Sequence, residues 1–258
     1  MSIPAHSAIN ETGRFYTWGD QKFYSVTTIL NVLSKPGLSS WITKEAVKKS
    51  LQLYRDGSLG ELIDEMGEQA AIAHLSKASN QARDESAKLG SRVHDYIEQE
   101  IAGLEPEVTP EIKGFADQFE LFKEKYSPKF THSEAQVFNR KAAYAGTLDA
   151  ICVIGDETVI IDTKTGKSVY PTVALQLAAY SRAEFLADVN GIDEHRMPEI
   201  HSAAVLHLRP RSYHFTEVNI SDEIYNAFRY VQQAFLWEHQ TSENAFGGEF
   251  PTIDLEDE

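Results

Sequence analysis

Residues 146–180 read GTLDAICVIGDETVIIDTKTGKSVYPTVALQLAAY, and within them two runs rich in β-branched residues, TLDAICVI and TVIID, flank Gly155-Asp156. A Gly-Asp pair between such runs favours a two-residue hairpin turn. If those two residues are the whole loop, Ile154 faces Glu157, and the register carried back along the strands sets Asp149 across from Asp162. Opposed side chains on antiparallel strands have Cβ atoms about 5 Å apart, where two carboxylates repel. A cation between them removes the repulsion. Lys164, two residues past Asp162, shares its face because side chains alternate along a strand. Two hard oxygen ligands beside an ammonium suit a divalent metal and an activated water. A longer loop sets Asp149 opposite Lys164 instead, a plain ion pair, and register alone leaves both arrangements open.

Both faces of this hairpin are apolar, with Ile151, Val153 and Ile160 on the acidic face and Leu148, Ala150, Val159 and Ile161 on the other. Such strands lie mid-layer under helices. Burying two aspartates there without partners is costly, which favours metal ligation over capping by turn amides. After Pro171 the run TVALQLAAYSRAEFLADV reads as one helix with Val173, Leu177 and Leu186 toward the core. Gln176 and Tyr180 are four residues apart, so an amide and a phenol share one helix face and reach one site.

Upstream, residues 133–139 are expected as a strand, followed by a basic turn at Arg140-Lys141. Glu134 on that strand is an outer ligand, a support for the metal site, or an exposed or salt-bridged glutamate, and position alone favours the last. Residues 111–126 form a scaffold helix ending before Pro128. A long helix over 80–103 carries Leu89, Val93, Tyr96, Ile97 and Ile101 at helical spacing, with His94 at the edge of that face and Gly90 one turn earlier. A lone histidine there is more often a packed residue than a ligand.

The N-terminal part opens with a hairpin over about 14–24, and Ser25 and Thr27 then cap a short helix to about Leu33. A helix over 39–54 has a basic side of Lys44, Lys48 and Lys49, for which a solvated face is favoured over a DNA contact, and helical pattern resumes over 59–76. Past Gly191, HSAAVLHL and RSYHFTEV are neighbouring strands, with Arg209 and Arg211 at their turn as candidates for phosphate contact. Ser221 caps a final helix to about His239.

A chain of 258 residues with 42% hydrophobic content supports a sizeable core. Its net charge of -15 argues against a protein that coats nucleic acid non-specifically, though not against an enzyme with a local basic track. A single cysteine, Cys152, excludes an internal disulfide and a cysteine-bound iron–sulfur cluster. No stretch approaches the roughly 20 apolar residues of a membrane span, and no signal peptide opens the chain. No membrane partner is therefore expected, and the cytoplasm of a bacterial or phage-infected cell is the expected location. The ending EFPTIDLEDE reads as a solvated acidic tail.

The ordered set His94, GTLD ending at Asp149, IDTK holding Asp162 and Lys164, and QLAAY holding Gln176 and Tyr180 resembles the RecB-like branch of the PD-(D/E)XK nucleases. The SVTTIL and GSRVH segments are similar to those of its phage-encoded exonucleases and of the mitochondrial genome maintenance exonuclease. The resemblance implies an α/β fold with a restriction-endonuclease-like αβββαβ core, a central mixed sheet flanked by helices, over residues 80–240. A mainly helical N-terminal lobe with its hairpin takes residues 1–79, and the acidic tail 241–258. It implies Mg²⁺ or Mn²⁺ held by His94, Asp149, Asp162 and the Thr163 carbonyl, with Lys164 positioning or activating water. Gln176 and Tyr180 hold Lys164 or the strand, and Arg92, Ser25 and Thr27 contact substrate. The implied activity is DNA exonuclease on single strands or duplex ends in recombination, repair or replication, with a recombination or replication protein as partner. A structure-specific endonuclease and a non-catalytic DNA-binding module are the alternatives.

Overall fold

The computed structural model describes residues 6–33, 36–188 and 193–248. In chain order its elements are β1 His6–Asn10, β2 Gly13–Trp18, β3 Gln21–Ser25, α1 Val26–Ile29, α2 Pro36–Arg55, α3 Ser58–Met66, α4 Glu68–Ser76 and α5 Ala78–Ile101. There follow α6 Lys113–Tyr126, β4 Lys129–Asn139, β5 Tyr144–Ile154, β6 Glu157–Lys164, α7 Thr172–Ser181, β7 Phe185–Ala187 and β8 Glu194–Arg196. The described chain closes with β9 Ser202–Arg209, β10 Ser212–Glu217, α8 Asp222–Leu236 and a π turn Trp237–Thr241. The result is an α/β fold with a mixed sheet between helices.

The central hairpin has the two-residue loop. Ile154 pairs with Glu157 and the ladder runs to Ala150↔Ile161, while Gly155 takes φ 60 at the first loop position, as a type II′ turn requires. This register sets aside the longer loop. β5 is the strand around which the sheet is laid. β4 pairs with it antiparallel from Lys129↔Val153 to Asn139↔Tyr144 along one edge. On its other edge β3 pairs parallel only at Tyr24↔Tyr144 and Ser25↔Ala145, and β6 only from Ala150 onward. Gly146, Thr147, Leu148 and Asp149 therefore lie in the fork where β3 and β6 part. β6 continues through parallel β9 to antiparallel β10, and β4 through β7 to β8.

Side-chain alternation distributes the sheet between two helical layers. Val93, Tyr96 and Ile97 of α5 and Phe115, Phe119 and Phe122 of α6 pack with Ala150, Cys152, Val159, Ile161 and Leu206. Val173, Leu177 and Tyr180 of α7 and Phe228 and Phe235 of α8 pack with Ile151, Ile160 and Val205. Leu148 packs with Ile151 and Ile160 instead of with Ala150, against the expectation from simple alternation. The interruption falls at Asp149, opposite Glu134, which holds a left-handed φ of 46.

Several expected boundaries move. The run after Pro171 is not one helix: α7 stops at Ser181 and Leu186 is buried from β7, where Phe185 stacks on Phe138 with ring centroids 5.1 Å apart. Aromatic packing against β4 overrides the helical period. The helical stretch over 59–76 breaks at Gly67, whose φ of 81 ends α3. Ser221 occupies the N-cap of α8 but its side chain makes no cap bond, and Asn219 Oδ1 takes the Ser221 N–H at 2.8 Å instead. A boundary at residue 79 cuts through the sheet, because β1–β3 join it through β3 and only α2–α4 form a helical projection. Of the expected acidic tail, residues 249–258 lie outside the described residues, as do residues 1–5.

Among the described residues no helix is long and apolar enough to cross a membrane. Cys152 is 0% exposed, and burial pushes its thiol up to about 12. The thiolate is the reactive form. The native protein at pH 8 should therefore leave an aromatic disulfide reagent unreacted over minutes, and one thiol should react at once in denaturant; fast labelling of the folded protein contradicts this packing.

Candidate metal and active site

The site forms at the fork. On β4, the pairs Ser133↔Ala150 and Ala135↔Leu148 bracket Glu134 and place it across from Asp149. On the other edge the ladder ends at Ala150↔Ile161, one step short of Asp149 and Asp162. Three carboxylates thus stand in a row on three adjacent strands. Glu134 reaches its place through a left-handed backbone, which costs a residue with a Cβ about 1–2 kcal/mol.

From α5, His94 Nδ1 lies 3.8 Å from Glu134 Oε1 and 3.8 Å from Asp149 Oδ2. These are ion-pair distances and too long for hydrogen bonds. One ligand atom from each of His94, Glu134 and Asp149 lies within 4.8 Å of the other two. Burial opposes charge on His94, but the carboxylates of Glu134 and Asp149 outweigh it and hold its pKa above the usual range. Burial and then the Asp162 charge push Asp149 up to about 6, against the pull of His94, Lys164 and the Thr163 N–H, which donates to Asp149 Oδ2 at 2.6 Å. The row carries more negative charge than its protein partners neutralise.

Asp162 is 2% exposed. Lys164 Nζ donates to its Oδ1 at 2.7 Å and Gln176 Nε2 to the same oxygen at 2.9 Å. Lys164 Nζ also stands 2.6 Å from Oδ2, so the ammonium pairs with both oxygens of the carboxylate. An imidazole and two carboxylates facing it fit a hard divalent ion, with the nitrogen ligand suiting Mn²⁺ as well as Mg²⁺. His94, Glu134 and Asp149 would hold it. Of the ligand set implied from sequence, His94 and Asp149 come together with Glu134, while Asp162 lies against Lys164 and Gln176 and Thr163 donates its N–H to Asp149.

Tyr180 is 2% exposed, and burial followed by the nearby Tyr16, Asp149 and Asp162 holds its phenol protonated well above its ordinary range. Its ring lies across Gly146: a Cβ there would sit 2.6 Å from Tyr180 Oη and closer still to Cε1. Glycine opens the fork to the phenol. Ser25 and Thr27 also line the cleft, with Ser25 Oγ 2.7 Å from Thr27 Oγ1 and accepting the Thr27 N–H at 3.2 Å. Arg92 does not come to the cleft. It is two residues from His94, on another face of α5, and pairs with Glu111. Arg209 is no free phosphate contact either, because its Nη1 donates to the carbonyls of Thr165 and Gly166, both at 2.8 Å. On α2, Lys48 pairs with Glu45 at 2.7 Å, as a solvated face would.

Two outcomes follow from this geometry. At pH 7.5, Mn²⁺ at about 100 times its Kd adds about 2.7 kcal/mol, or about 2–4 °C of melting temperature per kcal/mol; the gain shrinks at pH 5, where protons on Asp149 and His94 compete. The sign follows from the raised Asp149 pKa: without metal, its contribution to stability is full below about 3.9 and is lost as pH rises through about 6. Asp149→Asn and Glu134→Gln should each cut the Mn²⁺ shift in a thermal melt, and an unchanged shift in both contradicts the assignment. Gly146→Ala should displace the Tyr180 ring and destabilise by about 1–3 kcal/mol, measured by denaturant midpoint, with Tyr180→Phe much milder.

No family model matches the chain, and no curated protein does. Among solved structures, the crystal structure of SSO0001 is similar at 12% identity and a TM-score of 0.36, over 84% of this chain and 85% of that one, a likeness too slight to bear on fold or function.

Proposed function

We propose that the chain is a divalent-metal-dependent DNA exonuclease on a restriction-endonuclease-like core, acting in recombination, repair or replication. The observation that carries the reading is the carboxylate row at the fork, with His94 facing one end and Lys164 and Gln176 held on Asp162 at the other. The succession α6, β4, β5, β6, α7 and, after the short β7 and β8, β9 supports the same core.

A phosphodiester and an attacking hydroxide are both negative, so hydrolysis needs charge compensation where the pentacoordinate phosphorus forms. A divalent ion held by His94, Glu134 and Asp149 would supply that compensation and lower the pKa of water. Lys164, two-thirds covered and anchored on Asp162, presents an ammonium that orients the attacking water and screens the phosphate. Gln176 fixes the Asp162 carboxylate and so the position of Lys164. Tyr180, buried across Gly146, would form the floor on which a strand lies.

The test is digestion of end-labelled single- and double-stranded DNA with Mg²⁺ or Mn²⁺. Cleavage by wild type is expected, with Lys164→Ala slower by about 100-fold or more. Inactive wild type, or an undiminished Lys164→Ala, overturns the reading. Covalently closed circular DNA should stay intact, and its cleavage identifies an endonuclease on the same core.

A further inference from the structure

The cleft over the fork holds about 480 Å³, and its two walls differ in charge. One wall carries His94, Asp95 and Glu98 of α5 with Glu134. The other is built by the N-terminal hairpin, the first turn of α1 and β5 and presents Arg14, Thr27 and Thr147 over the buried Tyr16 and Ser25. A DNA strand entering it meets a chain of net charge -15 and a row of carboxylates. Metal in the row compensates only the phosphate it touches. Lys164 is committed to Asp162, so a neighbouring phosphate needs another cation.

Arg14 is that cation. Among the described residues lining the cleft, its guanidinium is the permanent positive group free of any ion pair. Its backbone is fixed on both sides by one hydroxyl: Arg14 N–H donates to Thr28 Oγ1 at 2.9 Å, and Thr28 Oγ1 donates to Arg14 O at 3.1 Å. Gly13, at φ 128, lets Thr28 approach so closely that a Cβ would lie 2.8 Å from its Oγ1. The strand is thus clamped where the side chain leaves it. Around it stand two hydroxyl pairs, Tyr16 Oη with Thr147 Oγ1 at 3.0 Å and Ser25 Oγ with Thr27 Oγ1 at 2.7 Å. Each pair uses one hydroxyl hydrogen between its members and leaves the other to donate outward.

We propose that Arg14, with the outward hydroxyls of Thr27 and Thr147 held by the buried Ser25 and Tyr16, forms a phosphate subsite that holds a DNA phosphate beside the one cleaved. The inference rests on the nuclease reading and extends it to substrate positioning. A guanidinium offers a planar fork that matches two phosphate oxygens, and hydroxyl donors complete the shell. The same chemistry serves a phosphodiester within the strand and a phosphomonoester at its end.

The experiment uses the full chain with Ca²⁺ in place of Mg²⁺ and single-stranded oligonucleotides carrying an internal fluorophore and a 5′-phosphate, a 3′-phosphate or neither. Binding is followed by anisotropy across a salt series, with the oligonucleotide verified uncut. Arg14→Ala should weaken binding about 10-fold and lower the slope of log Kd against log salt by about 0.7, the value of one phosphate contact on a single strand. Arg14→Lys, which keeps the charge and loses the fork, should restore the slope but only part of the affinity. A loss confined to one phosphorylated end assigns a phosphomonoester, and an equal loss on all three assigns an internal phosphodiester. Wild-type binding with affinity and slope unchanged in Arg14→Ala overturns the subsite and leaves the nuclease reading to its cleavage assay. A wild type that cleaves DNA yet shows no salt-dependent binding also overturns it, and one that neither binds nor cleaves overturns both.

Discussion

Like charge at the end of a buried sheet is the constraint on which this structure depends. Glu134, Asp149 and Asp162 occupy successive strands, and the low dielectric that makes a paired charge strong makes an uncompensated one costly. The protein answers part of the cost with Lys164 and Gln176 on Asp162, the Thr163 N–H on Asp149 and the imidazole of His94. The remainder appears as an Asp149 carboxyl held well above its usual pKa. His94, Glu134 and Asp149, with ligand atoms within 4.8 Å of one another, have the donor set of a candidate cation site.

The fork explains why such a row is possible. A regular sheet would surround β5 with strands along its whole length, and its backbone and side chains would be spent on packing. Here β3 leaves at Ala145 and β6 joins at Ala150, so four residues of β5 face an opening. Tyr180 enters over Gly146, and Thr147 meets Tyr16 across it. Sheet register and access to solvent are set by the same four residues.

What could be read from sequence follows how local each determinant is. Gly155-Asp156 is a two-residue loop, so counting fixes the facing of Asp149 and Asp162, and the helical spacing of Gln176 and Tyr180 fixes their shared face. Glu134 reads as an exposed or salt-bridged glutamate because its register to Asp149 passes through the four-residue turn 140–143, with Ala143 at φ 55, and its own left-handed φ of 46 breaks simple alternation. Neither is written in a residue pattern that can be counted. The parallel pairing of β3 with β5 joins segments over a hundred residues apart, which is why the N-terminal hairpin looked like part of a separate lobe. Arg209 looked available for phosphate beside Pro210, and only its contacts to Thr165 and Gly166 reveal that it is spent.

Those contacts also bear on how Lys164 is held. His207, paired with Lys164 in the parallel ladder, places Nε2 2.7 Å from Gly166 O, and Arg209 reaches the same carbonyl. Since that oxygen only accepts, His207 carries its hydrogen on Nε2. Two donors from β9 thus arrest the chain just past Lys164, while Asp162, two residues earlier, is arrested by Gln176 from α7. The ammonium is anchored from both sides of its own strand by elements on different layers. A lysine on a free loop would swing toward the carboxylates of the row and neutralise them. Fixing Lys164 on Asp162 keeps its ammonium on that carboxylate, apart from the group of His94, Glu134 and Asp149.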